Sequence, residues 1–154
     1  MIDNIFIILL MLPMISASLS LLFKRSDKLR TIFTNIFSLI YFALAGYFLF
    51  SFQEPSTFVA GSWESGIGIS LSYDLFSGVM IFVIGAIYFT GALYAYPGVT
   101  VERNKVYHFL YNTLFLGLTG AFLTRDLFNL FVWFEITLMS SYVLVVLDGN
   151  TKRL

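Results

Sequence analysis

LFNLFVWFEITLMSSYVLVVL, Leu127 to Leu147, decides how this chain is read. At 1.5 Å per residue, roughly 20 helical residues cross the roughly 30 Å of bilayer hydrocarbon, and this stretch is that long and almost wholly apolar. Its exception is Glu135, close to the middle, with no Lys or Arg beside it. Insertion scales put the cost of a charged side chain at a helix centre at about 2.5–3.5 kcal/mol, so a carboxyl group is retained there when it has a proton, an ion or a partner to handle. On a helical wheel Phe128, Phe131, Leu138, Met139 and Tyr142 share the face of Glu135, while Asn129, Ser140 and Ser141 lie well round from it. The carboxyl group therefore has few local hydrogen-bond donors.

Four further stretches have the same character: Ile5 to Phe23, Thr31 to Phe52, Leu75 to Tyr96 and Val106 to Leu123. With 58% hydrophobic and 12% charged residues, the chain has too little polar material to cover a water-soluble core of this size. The composition predicts an all-α membrane protein, one membrane domain over residues 1–154, because backbone groups in lipid must be satisfied within the segment. The zero net charge hides an asymmetry. Lys24, Arg25, Lys28 and Arg30 fill the first loop, Arg103 and Lys105 the third, and Lys152 and Arg153 the tail, whereas the second loop carries Glu54 and Glu64 and no basic residue. The positive-inside rule then predicts five transmembrane helices with the N-terminus outside and the C-terminus cytoplasmic, in the plasma membrane. Arg125 is the one basic residue on the outer side, where pairing with Asp126 or snorkelling to the interface accommodates it.

The first segment reads as a retained helix, not a signal peptide, since its head carries Asp3 and its basic residues follow the apolar run. In the second loop Ile67, Ile69, Leu71 and Tyr73 alternate with Gly68, Ser70 and Ser72, and Gly61 and Gly66 offer turns around Trp63. Either a short outer β-hairpin or an irregular loop with Trp63 and Tyr73 as interfacial anchors fits that pattern. Gly78, Gly85 and Ala92 on the third segment, and Thr113, Gly117 and Gly120 on the fourth, read as packing seams.

Counting removes most conventional sites. No cysteine means no thiolate-held iron–sulfur cluster, and one histidine, His108, cannot hold a bis-histidine haem from this chain alone. No cofactor, metal site, catalytic site or nucleic-acid surface is expected. His108 falls near the cytoplasmic end of the fourth segment; an interfacial histidine satisfied by water or headgroups is the plainer reading, and a proton relay at the cytoplasmic mouth the functional one. For Glu135 the plain reading is a permanently protonated acid bonded across a helix interface, and the functional one an element of a proton or cation pathway.

Two stretches carry a family resemblance. RDLFNLFVWFEI (Arg125 to Ile136), continuing through SSYVL (Ser140 to Leu144), resembles the fifth transmembrane helix of the antiporter-like subunits shared by Mrp-type cation/proton antiporters, membrane-bound hydrogenases and respiratory complex I, the Mrp D-type subunits and their hydrogenase counterparts above all. GIGISLSYDLFSG (Gly66 to Gly78) resembles the hairpin and third-helix start of the same family. The resemblance implies that Glu135 matches the family's helix-five glutamate, which works with a lysine on helix seven to move protons or cations. It also implies other membrane subunits as partners, in the lipid bilayer, with a soluble iron–sulfur redox module in the redox-driven members. This chain ends after the fifth segment, without that lysine or the family's broken helices; it reads as a split subunit completed by other chains or as part of a longer protein. Two functions follow: a translocating subunit of a multisubunit energy-converting complex that lends a buried glutamate to a proton or sodium path, or a non-translocating membrane scaffold descended from the same family.

Overall fold

The computed structural model describes residues 3–23, 27–51, 54–59, 68–95 and 106–147. They form α1 (Asp3–Leu22), α2 (Asp27–Phe50), β1 (Ser56–Val59), β2 (Ser70–Tyr73), α3 (Leu75–Tyr94), α4 (Tyr107–Leu123) and α5 (Leu127–Leu147). Helix α2 begins at Asp27, a turn ahead of Thr31, because Lys28 and Arg30 are good helix formers and continue the apolar run. Residues 28–50, 75–94 and 127–147 are long and apolar enough to cross a membrane; the apolar part of α1, Ile7–Leu22, and the 17-residue α4 are shorter. Lys24, Arg25, Gly61, Trp63, Glu64, Gly66, Arg103, Lys105, Lys152 and Arg153, on which the expected orientation and the loop anchors partly rest, lie outside the described residues.

Helices α1 to α4 close into a ring: α1 packs on α2 and α4, α2 on α3, and α3 on α4, while α5 leans on α4 from outside. Small residues set the close approaches, as the glycine spacing predicts. Gly85 of α3 lies against the backbone of Phe42 and the ring of Tyr41 on α2. The indole ring of Trp133 and the side chain of Thr137 on α5 sit where side chains at Gly120 and Gly117 of α4 would be. In lipid, where no hydrophobic drive separates helix from solvent, this contact between backbones is what holds α5 in place.

The second loop forms a hairpin. β1 and β2 pair antiparallel, with Ser56 opposite Tyr73 and Val59 opposite Ser70. Leu71 and Tyr73 point inward and Ser70 and Ser72 are half-buried, as the alternation predicts, but Ile69 stays exposed because the ladder begins only at Ser70. Leu71 also bridges to Thr124, and the Arg125 N–H donates to the Ser70 carbonyl at 2.9 Å, so the turn between α4 and α5 is stitched to the hairpin. Asp74 then caps α3: its carboxylate accepts the Ser77 N–H at 2.7 Å, which holds the carboxyl below its ordinary range. The neighbouring Tyr73 phenol is pushed up to about 12 by burial.

Candidate functional site

Helix α5 presents Glu135 outward. Phe128, Phe131, Leu138, Met139 and Tyr142, the residues that share its face, are all exposed, whereas Asn129 and Ser140 turn towards α4 and are buried. The expectation of a buried glutamate is therefore corrected: Glu135 lies on the surface of this chain. The reason is that, among the described residues, α5 packs chiefly on α4 through its Trp133–Thr137–Ser140 side, and the wheel places Glu135 away from it. The carboxyl group still sits eight residues into a 21-residue apolar helix, where Phe131, Phe134, Leu138 and Met139 around it carry no hydrogen-bond donor.

His108 faces the interior of the chain. It is 2% exposed, inside the four-helix ring, with Nε2 3.2 Å from the Thr31 hydroxyl of α2, and Nδ1 without a hydrogen-bond partner among the described residues. Arg30, a turn-neighbour of Thr31, is also buried, and acts on His108 electrostatically. One turn deeper, the Asn112 amide donates to the His108 carbonyl at 2.7 Å and to the Thr34 hydroxyl at 3.4 Å, and its oxygen accepts the Tyr88 hydroxyl of α3. The Tyr111 hydroxyl donates to the Tyr88 carbonyl at 2.7 Å. Two turns further, the hydroxyls of Tyr41 and Thr119 share a bond of 2.8 Å. Ser16, Ser20 and Ser38 are buried alongside. No sequence motif marks this assembly. The available signal was a set of periodicities, Thr31, Thr34, Ser38 and Tyr41 on α2 against His108, Asn112 and Thr119 on α4, which becomes a cluster only once the ring is closed.

A crevice of about 680 Å³ opens between the hairpin, the start of α3, the end of α4 and α5. Thr57, Ser72, Asp74, Phe122, Arg125 and Phe134 line it, and Glu135 does not. Asp126 caps α5 through the Phe128 N–H at 2.9 Å, while the Arg125 side chain is exposed. Among the described residues no three His, Cys, Asp or Glu side chains gather as a metal site would require.

No family model matches the chain. Its sequence is similar to the D-type subunit of the Na(+)/H(+) antiporter of Alkalihalophilus pseudofirmus, 34% identical over 161 residues, covering 99% of this chain and 31% of that protein. The protein of the same name from Bacillus subtilis is 30% identical over 155 residues, covering 99% of this chain and 31% of that protein. This chain thus spans about a third of the length of these curated relatives. Among solved structures it superposes on a chain of the membrane-bound sulfane sulfur reductase, an archaeal respiratory membrane complex, with a TM-score of 0.88 and 34% identity, over 97% of this chain and 32% of that one. The Mrp complex from Dietzia sp. DQ12-45-1b shares the fold, with a TM-score of 0.81 at 24% identity over 94% of this chain and 27% of that one. The long apolar helices and these relatives together make the chain a membrane protein, similar in sequence to the N-terminal portion of Na(+)/H(+) antiporter D-type subunits.

Proposed function

We propose that this chain belongs to an ion-translocating subunit of a multisubunit, energy-converting membrane complex, and that Glu135 takes part in its proton or sodium path. All five helices cross the plasma membrane in this reading, with the N-terminus outside and the C-terminus cytoplasmic, and the hairpin lies on the outer face. One observation carries it: a carboxyl group eight residues into a helix long and apolar enough to cross a membrane occupies the face of α5 that the described residues leave uncovered. Such a group is stabilised by a neighbouring cation or by cycling through its protonated form, and both belong to ion pathways. Other membrane segments would cover that face, in keeping with the complexes named for its relatives. An iron–sulfur module is part of the assembly where the complex is redox-driven.

Gradient formation in inverted vesicles carrying the complete complex tests the reading. Glu135→Gln keeps the shape and hydrogen-bonding capacity of the side chain and removes its titration. It should leave assembly intact and abolish most of the proton or sodium gradient. Wild-type gradients from the Gln variant at matched abundance would instead favour the scaffold reading.

A further inference from the structure

The polar groups inside the ring are not spread along it. In an antiparallel ring the C-terminal ends of α1 and α3 lie at the same end as the N-terminal ends of α2 and α4, and most of the ring's buried polar side chains come from that half: Ser16 and Ser20, Arg30, Thr31, Thr34 and Ser38, Tyr88, His108 and Asn112, whereas the other end has Ser77 beside the Asp74 cap. The first group stops at Tyr41 and Thr119. Beyond that pair Leu9, Ala45, Ile81 and Leu123 fill the axis, with no exposure in any of the four. From His108 to Thr119 the polar line follows α4 for about 16 Å, half the thickness of a bilayer.

Burying so many hydroxyl, amide and imidazole groups in a membrane bundle is costly unless they are satisfied, and water is the usual partner for those left over. Nδ1 of His108 and the side-chain oxygen of Asn35 are left over among the described residues. The chemistry also selects what enters. No carboxylate is among the buried residues described, and Arg30 stands at the mouth, so a bare metal cation finds neither a compensating charge nor a hard anionic ligand. Neutral hydroxyl and amide groups suit water.

We propose that the polar half of the α1–α4 ring is a hydrated vestibule, which water enters past Arg30 and His108, 1% and 2% exposed in this structure, and which the Leu9–Ala45–Ile81–Leu123 plug closes, so that water reaches mid-membrane separately from Glu135. The proposal does not rest on the translocation reading, and its test does not involve ion flux.

These 154 residues contain no cysteine, so single cysteines report cleanly. In membranes carrying the full complex, Thr34→Cys and Ser38→Cys would be exposed from the Arg30 end to methyl methanethiosulfonate, a small uncharged thiol reagent that Arg30 does not repel, then denatured and captured with a biotin maleimide. Lys28→Cys marks the mouth; Leu9→Cys, Ala45→Cys and Ile81→Cys mark the plug. Thiols reached by water should be blocked at least about tenfold faster than thiols in dry apolar surroundings, where the reactive thiolate is suppressed. Fast block at Thr34→Cys and Ser38→Cys with slow block at the three plug positions supports the vestibule. Slow block at Thr34→Cys and Ser38→Cys while Lys28→Cys reacts overturns it, as does a plug that reacts as fast as the vestibule. Thr31→Cys serves where Thr34→Cys does not accumulate.

Discussion

The hydroxyl of Tyr41 on α2 reaches across the ring to the hydroxyl of Thr119 on α4, 2.8 Å away and wholly out of reach of solvent, and the same Thr119 hydroxyl donates to the Phe115 carbonyl at 2.7 Å. One bond thus ties the two helices that lie on either side of α1 and α3. Because Thr119 keeps its bond to Phe115 when the other is lost, Tyr41→Phe should cost only about 0.5–1.5 kcal/mol, the usual net worth of one hydrogen bond. Thr119→Val removes the partner and strands the phenol, and should cost more, about 1–3 kcal/mol. Denaturant unfolding of the purified complex, read by protease resistance of this chain, checks the order of the two.

A larger effect is expected where α5 meets α4. A methyl group at Gly120 collides with the indole of Trp133, so Gly120→Ala should destabilise the contact by about 1–3 kcal/mol, and Gly120→Leu should release α5. Fluorescence in a Trp63→Phe background follows Trp133 directly. Unchanged emission from Gly120→Leu would show that the seam is not what positions the helix.

Asp74 supplies a pH dependence of known sign. Its carboxyl is held below the ordinary carboxylate range by the Ser77 N–H, so the folded form favours the ionised acid. The stabilisation is present above the ordinary carboxylate pKa and is lost as pH falls through the depressed folded value. Asp74→Ala should remove about 1 kcal/mol at neutral pH and flatten the acid limb of the stability curve, while Asp74→Asn should keep most of the cap and flatten the limb equally. Stability measured from pH 7 down into the acid range separates the three proteins.

Orientation follows from charge and is checked by labelling. Cysteine at Ser62, in the acidic second loop, should react with a membrane-impermeant maleimide added outside intact cells, and cysteine at Ser26, in the basic first loop, should not. The opposite pattern would reverse the topology.

What could be read from the residues was the membrane character, the extra strand period and the singular glutamate, because each is a one-dimensional signal: a long apolar run, an alternation, a lone charge. The wheel placed Asn129, Ser140 and Ser141 well round from Glu135, and the first two are buried against α4 while Ser141 is half-buried. It could not say which of those two faces looks inward, since that depends on how many helices surround α5. β1 escaped notice because Ser56 to Val59 is too short to show a period. The interior network was illegible for a different reason. Thr34, Tyr88 and Asn112 come from three helices, each polar residue has an unremarkable reading within its own helix, and only the closed ring makes them one cluster.

The bond from the Arg125 N–H to the Ser70 carbonyl gives the hairpin mechanical reach. Helix α5 starts two residues later, and Glu135 lies about 12 Å along it. With Gly117 and Gly120 as a fulcrum beneath Trp133 and Thr137, the helix is a rocker whose N-terminal end is pinned to the hairpin. A tilt imposed on the hairpin therefore swings the far arm of that rocker, Tyr142 to Leu147, while Glu135, between Trp133 and Thr137, stays at the pivot and is turned in place.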